Sequence, residues 1–281
     1  YILKNWSAKD HWSGLFLLVA LLAIVMLLCA VRFAQSPGWL LAQGRKEEAE
    51  HAVRYFLGSD VAISDTMVRP EVGNGGERLF RGENLQRVIF SGVPWACEGF
   101  AVYGVGVFLP ILIMALGLGK AGDGVAHITS SVEVSAYINI FVAVGFAVGL
   151  ALVNRIWHVR QQVWGFVLCA VGVVLLLVAY KMHLSAWIMI AGFILFELAL
   201  NAGPHLITFI LPSQIFPIAD RGAGAGVAAA FGKIGAVLGV LFMPILMKWG
   251  GVELALIVIA ALQVVGAAIT LGFGRRILPP K

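Results

Sequence analysis

The chain has 281 residues, of which 60% are hydrophobic and 12% charged, and its formal net charge is +5. A soluble globular domain carries about 25% charged residues, so these figures exclude an ordinary water-soluble core. The basic excess does not point to nucleic acid, because the positive charges gather in the connections between apolar runs.

Seven apolar stretches each approach or exceed the roughly 20 residues that a helix needs to cross a bilayer. They are Trp12–Val31, Val88–Leu116, Val132–Val153, Val163–Tyr180, Leu184–Leu211, Ala223–Met247 and Val252–Phe273. An open sheet edge cannot sit in lipid and no alternating barrel pattern repeats, so the expected fold is an all-α membrane protein with seven transmembrane helices. Residues 1–31 form the first helix, 32–87 a connection, 88–273 a six-helix bundle and 274–281 a tail.

The first connection divides in two. Pro37 starts a short helical run, Gly44 interrupts it, and a charged amphipathic helix with Glu47, Glu48 and Glu50 follows. Residues 58–82 are rich in glycine and polar residues and read as a flexible loop. Arg32, Arg45, Lys46, Arg54, Arg69, Arg78, Arg81 and Arg87 all fall on this side. So do Arg155, Arg160, Arg221, Arg275, Arg276 and Lys281, whereas Lys4, Lys9, Lys120, Lys181 and Lys248 fall on the other. The positive-inside rule places the richer side, and the C-terminus, in the cytoplasm. The N-terminus is then outside. With Tyr1 first and no cleavable signal pattern, the expectation is the C-terminal part of a longer polypeptide in a plasma or inner membrane.

The second span carries Trp95, Glu98, Gly99 and Tyr103. Trp95, Gly99 and Tyr103 are spaced i, i+4, i+8 and share a helical face, while Glu98 is rotated from them by about 100°. The aromatic pair reads either as a packing stripe or as a binding face. A lone carboxylate at mid-membrane is costly and calls for a proton, a partner or water. Cys29, Cys97 and Cys169 lie in three separate spans without metal or disulfide spacing and read as small packing residues.

The fifth and sixth spans hold polar groups where hydrocarbon is expected. Glu197, Asn201 and His205 repeat at i, i+4 and i+8, Gly203-Pro204 breaks the helix between them, and Lys233 lies in the next span. A broken membrane helix leaves backbone groups that need new partners in protein or water. The polar stripe reads as cavity lining and a candidate proton path, since histidine titrates near neutral pH. Its alternative is a self-satisfied buried cluster. Lys233 either attracts an anion or reaches back to the helix end. No metal-ligand set, nucleophile elbow or paired catalytic carboxylates occurs, so neither an enzyme nor a cofactor is expected.

Three segments resemble the major facilitator superfamily. SPGWLLAQGRKEEAE is similar to the loop after the sixth helix of sugar-porter-type members, ESPRWLLxxGRxxEA, with Gln35 for the acid and Gly38 for the arginine. NRIWHVRQ sits where the family has DRxGRR between helices eight and nine, with Asn154 for the aspartate and Trp157 for the glycine. From Asn201 to Ala236 the chain resembles the phosphate:proton symporter branch, NFGPNxxTFxxPxExFPxxxRxxxxGxxAAxGKxGA, with its spacing intact. Gly99, however, stands where that branch has the aspartate of W-x3-D-x3-Y.

The resemblance implies helices six to twelve of a twelve-helix, proton-coupled secondary transporter whose N-terminal half lies outside this chain. It further implies a small-anion substrate, foremost phosphate, with a sugar or organic acid as the alternative. The candidate binding residues are Trp95, Glu98, Tyr103, Asn201, His205 and Lys233. Glu98, Glu197 and His205 are candidates for proton coupling, and Arg155, Arg160 and Arg221 for a cytoplasmic gate. The expected partners are the solute, the proton, the missing half and the bilayer. A non-transporting solute receptor is the reading from another class.

Overall fold

The computed structural model describes residues 13–31, 33, 35–58, 63, 79–118, 125–218 and 220–279. They fall into two compact units, one within residues 1–72 and one within 73–281. All regular structure among them is helical.

In the first unit, α1 (Ser13–Ala30) is apolar on every side, and Leu17, Leu21, Met26 and Leu28 all stand exposed. At 18 residues it is about 27 Å long. α2 (Pro37–Ala42) begins at its proline, whose fixed φ suits a first helical turn. Gly44 then turns the chain with φ 74°, and α3 (Lys46–Leu57) follows. Leu40, Ala49, Ala52 and Ile63 bury one another between α2 and α3. Arg45 grips Glu48 through two hydrogen bonds of 2.7 and 2.6 Å and holds its carboxyl below the usual carboxylate range. Most of residues 58–82, and Lys4, Lys9, Arg32, Arg69, Arg78, Lys120 and Lys281, lie outside the described residues.

The second unit holds α4 (Gly82–Ala115), α5 (Val125–Val153), α6 (His158–Lys181), α7 (Ala186–Ala202), α8 (Pro204–Ile215) and α9 (Arg221–Ile277). Residues 186–215 form one apolar run across the α7–α8 break, and this run and the other four helices are long and apolar enough to cross a membrane. α9 has 57 residues, about 85 Å if straight, far more than one crossing needs. It breaks at Gly250 and Gly251, and Gly251 takes φ 66°, a conformation that side chains resist. The result is two arms, residues 221–249 and 252–277.

The helices close on each other through small residues, as lipid-embedded helices do when no hydrophobic drive separates core from solvent. A β-carbon on Gly149 would stand 2.9 Å from the Ala202 carbonyl oxygen, and one on Gly172 would stand 2.9 Å from that of Gly192. Lys181 pairs with Glu253 at 2.8 Å at one end of the bundle. At the other end the Trp157 indole donates to the Leu278 carbonyl at 2.9 Å. Within this unit Lys181 thus stands at one end of the bundle, and the α5–α6 connection with Arg155 stands at the other.

Two apolar clusters fill this unit. One contains Leu109, Leu112, Leu176, Phe193 and Leu256. The other contains Val88, Phe90, Val159, Ile207 and Leu211. The polar residues lie between them along the chain. Glu98 falls between Phe90 and Phe100 on α4, Asn201 and His205 between Leu200 and Ile207, and Lys233 between Phe231 and Met243.

Candidate functional site

The break between α7 and α8 shapes the site. Pro204 has no N–H to continue the α7 ladder, and Gly203 leaves helical geometry with φ −119° and ψ −97°. A β-carbon on Gly165 would run into Pro204 and the Gly203 Cα, so α6 wedges directly against the break. The Gln161 amide on α6 donates to the Ala202 carbonyl at 2.8 Å and to the Gly149 carbonyl at 3.1 Å. One side chain thereby ties α5, α6 and the end of α7 together.

Past the break, His205 turns its Nδ1 toward Glu98 Oε1 on α4, and the two are in direct contact. Glu98 is 2% exposed and His205 about one quarter exposed. The Phe146 ring lies 5.2 Å from the imidazole and the Phe209 ring 5.8 Å. Trp95 packs edge-on against Phe209 at 4.9 Å. The pair is thus bordered by aromatic rings from α4, α5 and α8.

The expected stripe of Glu197, Asn201 and His205 divides at the break. Asn201 donates to the Glu197 carbonyl at 2.8 Å and to its carboxylate at 3.3 Å, and both residues are buried. His205 takes its hydrogen-bond partner from α4 instead, 107 positions away.

The α4 face settles around glycine. Trp95, Gly99 and Tyr103 all meet the first arm of α9. The Trp95 indole fills the space that a β-carbon on Gly232 would need, at 2.6 Å. Gly99 lies against the Gly232 backbone with no room for a side chain. Tyr103 accepts a 3.3 Å hydrogen bond from the Lys233 ammonium, which also lies 5.4 Å from the ring centre. Beside them is a cavity of about 660 Å³ lined mainly by Val237, Val240, Leu241 and Pro244.

The three arginines do not converge on one point. Arg155 and Arg221 line one cavity of about 630 Å³ with Gln214, His158 and the chain's last turn. Arg155 and Arg160 line another of about 590 Å³. Gln161, Gln162 and Gln263 escaped the sequence reading. All three are buried, and both side-chain polar atoms of Gln162 and Gln263 have no partner among the described residues. The adjacent Gln161-Gln162 amides at the start of an apolar run were the available signal. No group of three His, Cys, Asp or Glu residues suited to a metal occurs among the described residues.

Residues 1–274 match the family described as "Sugar (and other) transporter". The chain belongs to this family, within the major facilitator superfamily. The "Inner membrane metabolite transport protein YgcS" of Escherichia coli strain K12 is 26% identical over 261 residues, covering 93% of this chain and 55% of that protein. The "Repressible high-affinity phosphate permease" of Neurospora crassa is 28% identical over 197 residues, covering 69% of this chain and 34% of that protein. Among solved structures, the major facilitator superfamily proton:xylose symporter XylE bound to 6-bromo-6-deoxy-D-glucose superposes with a TM-score of 0.77 at 17% identity, covering 99% of this chain and 59% of that one. This family member is therefore an integral membrane protein with the superfamily's helical fold. It spans about half the length of the bacterial relative it matches.

Proposed function

We propose that this chain supplies helices six to twelve of a twelve-helix, proton-coupled transporter of a small anion, foremost inorganic phosphate. The contact between Glu98 and His205 carries this reading. It joins two helices across a helix break, between two apolar clusters, with Lys233 on the neighbouring arm. Major facilitator domains rock about a midplane site, and a contact between separate helices is one such motion can open.

The chemistry follows from charge. An anion approaching an ionised Glu98 is repelled, and the His205 ring is already occupied by that carboxylate. A proton on Glu98 removes the repulsion and releases His205 to the anion, with Lys233 as a further donor. The loaded site thus carries a proton with the anion. On the opposite face, loss of the proton restores the Glu98–His205 contact and expels the substrate. This supplies the difference in affinity that directional transport requires. Glu197, held by Asn201, is the second group on the proton path. Arg155 and Arg221, which share a cavity at the arginine-rich end, form the gate there with Arg160 beside them. Charge asymmetry places that end and the C-terminus in the cytoplasm and favours the plasma or inner membrane.

A second reading rests on the cavity beside Lys233 and Tyr103. Its apolar walls suit an organic acid with a hydrocarbon body better than they suit phosphate. Uptake into proteoliposomes by the parent polypeptide decides between them, using labelled phosphate, sugars and organic acids with and without an imposed pH gradient. The expected result is gradient-driven phosphate accumulation that Glu98→Gln abolishes. Phosphate uptake indifferent to both Glu98→Gln and His205→Asn removes the coupling role. Binding without uptake of any solute makes the protein a receptor.

A further inference from the structure

The cavity shared by Arg155 and Arg160 lies away from the Glu98–His205 site. It opens where the α5–α6 connection meets the α7–α8 break. Ala199 lines it, two positions from both Glu197 and Asn201 and hence about 200° around α7 from each, and Ala202 and Gly203 line it at the break. The groove therefore occupies the opposite face of this helix from Glu197 and Asn201.

Its walls are of two kinds. Arg155 and Arg160 are exposed, neither has an ion-pair partner among the described residues, and no carboxylate lines the cavity. Farther along α6 from Arg160 run Trp164 and Leu168, which are 54% and 40% exposed, and Trp157 caps the start of the helix. Gln161 is 5% exposed and closes the inner wall, where its Oε1 has no partner among the described residues. Two free guanidiniums above an indole and an alkyl wall match a phosphodiester with a hydrocarbon chain attached. Arginine binds phosphate oxygens through paired N–H groups. Tryptophan settles at the boundary between head groups and acyl chains. A free phosphate ion would use the arginines and leave the apolar wall wet.

We infer that this groove is a binding site for one anionic glycerophospholipid, its phosphate on Arg155 and Arg160 and an acyl chain along Trp164 and Leu168. A basic pocket between membrane helices near the polar boundary selects acidic head groups for the same reason. A lipid seated there spans α5, α6 and the α7–α8 break, and so braces the break from the helix face opposite Glu197 and Asn201.

The test uses the parent polypeptide in detergent, titrated with dioleoylphosphatidylglycerol, dioleoylphosphatidylcholine or inorganic phosphate. Native mass spectrometry counts retained lipid and a melting curve reads stabilisation. The expected outcome is one tightly held phosphatidylglycerol that millimolar phosphate does not displace. In Arg155→Gln/Arg160→Gln its affinity falls roughly thirtyfold. Trp164→Glu, which sets a carboxylate in the apolar wall, also releases it. Equal retention of the two lipids by the unaltered protein overturns the inference without reliance on any variant. Undiminished binding in the double variant also overturns it, as does displacement by inorganic phosphate, which would make the groove a free-anion site.

Discussion

Gly99 of α4 rests on the Gly232 backbone so closely that a β-carbon at position 99 would overlap the Gly232 carbonyl oxygen. Position 99 therefore has no room for an acid here, and the carboxylate of α4 stands one position earlier, at Glu98. With a side chain at 99, α4 and the first arm of α9 would have to separate, and Trp95 would lose its seat over Gly232. Overpacking a closed helix seam costs about 1–3 kcal/mol, so Gly99→Ala should lower the melting temperature of the purified protein measurably. Gly99→Asp should cost more, since it also buries a carboxylate, and it should not raise phosphate affinity. A well-folded Gly99→Asp variant with tighter phosphate binding would show that the seam opens freely.

The Glu98–His205 contact predicts coupling in a double-mutant cycle. Residues that touch show interaction energies of about 0.5–3 kcal/mol, whereas distant sites add independently. Glu98→Gln and His205→Asn together should destabilise less than the sum of the two alone. In transport assays each single variant should lose acceleration by an inward proton gradient, while exchange of substrate for substrate persists in Glu98→Gln. Strict additivity in thermal unfolding would indicate that the two side chains act separately.

Much of this arrangement was legible in the chain. Apolar run lengths announced the helices, Gly203-Pro204 announced the break, and Glu98 and His205 stood out as ionisable groups in hydrocarbon. The pairing was not legible. Periodicity describes one helix at a time, so it grouped His205 with Glu197 and Asn201 even though Gly203-Pro204 marked a break between them. The break at Gly203 separates His205 from the α7 hydrogen-bond ladder, and its partner comes from a helix 107 positions away. The role of Gly99 was hidden for a related reason. A glycine in place of an acid reads as a lost function until the opposing backbone at Gly232 is seen to occupy the space. Gln161 was passed over because amides near a helix start resemble surface, yet it is clamped between two backbone carbonyls.

Gln161 yields a stability prediction of its own. Its amide is the side-chain donor for the Gly149 and Ala202 carbonyls at a junction of three helices, the first bond buried and the second partly buried. A lost hydrogen bond that strands a buried acceptor costs about 1–3 kcal/mol. Gln161→Leu, close in volume, should therefore lower stability by an amount in that range. Gln161→Glu should cost more, since a carboxylate would face two carbonyl oxygens. An unchanged melting temperature in Gln161→Leu would mean that the helices hold this junction without the clamp.

The two ends of the bundle can be told apart in a membrane. Lys181, Lys248 and Glu253 belong to one end, and the Lys181–Glu253 pair is about half exposed. An exposed pair of this kind contributes at most about 1 kcal/mol, so Glu253→Gln should leave folding almost unaffected and position 253 is safe to alter. In a cysteine-free background, Glu253→Cys should react with a membrane-impermeant maleimide applied outside intact cells. Arg276→Cys, beyond the second arm's last apolar turn, should react only after permeabilisation. Positive charge density near the spans sets orientation, and the arginines of the α5–α6 connection and the tail contribute part of it. Removing Arg155, Arg160, Arg275 and Arg276 together should blur the difference in labelling. Labelling of position 276 from outside in the unaltered background would invert the topology, and the gate proposed at the arginine-rich end would then face away from the cytoplasm.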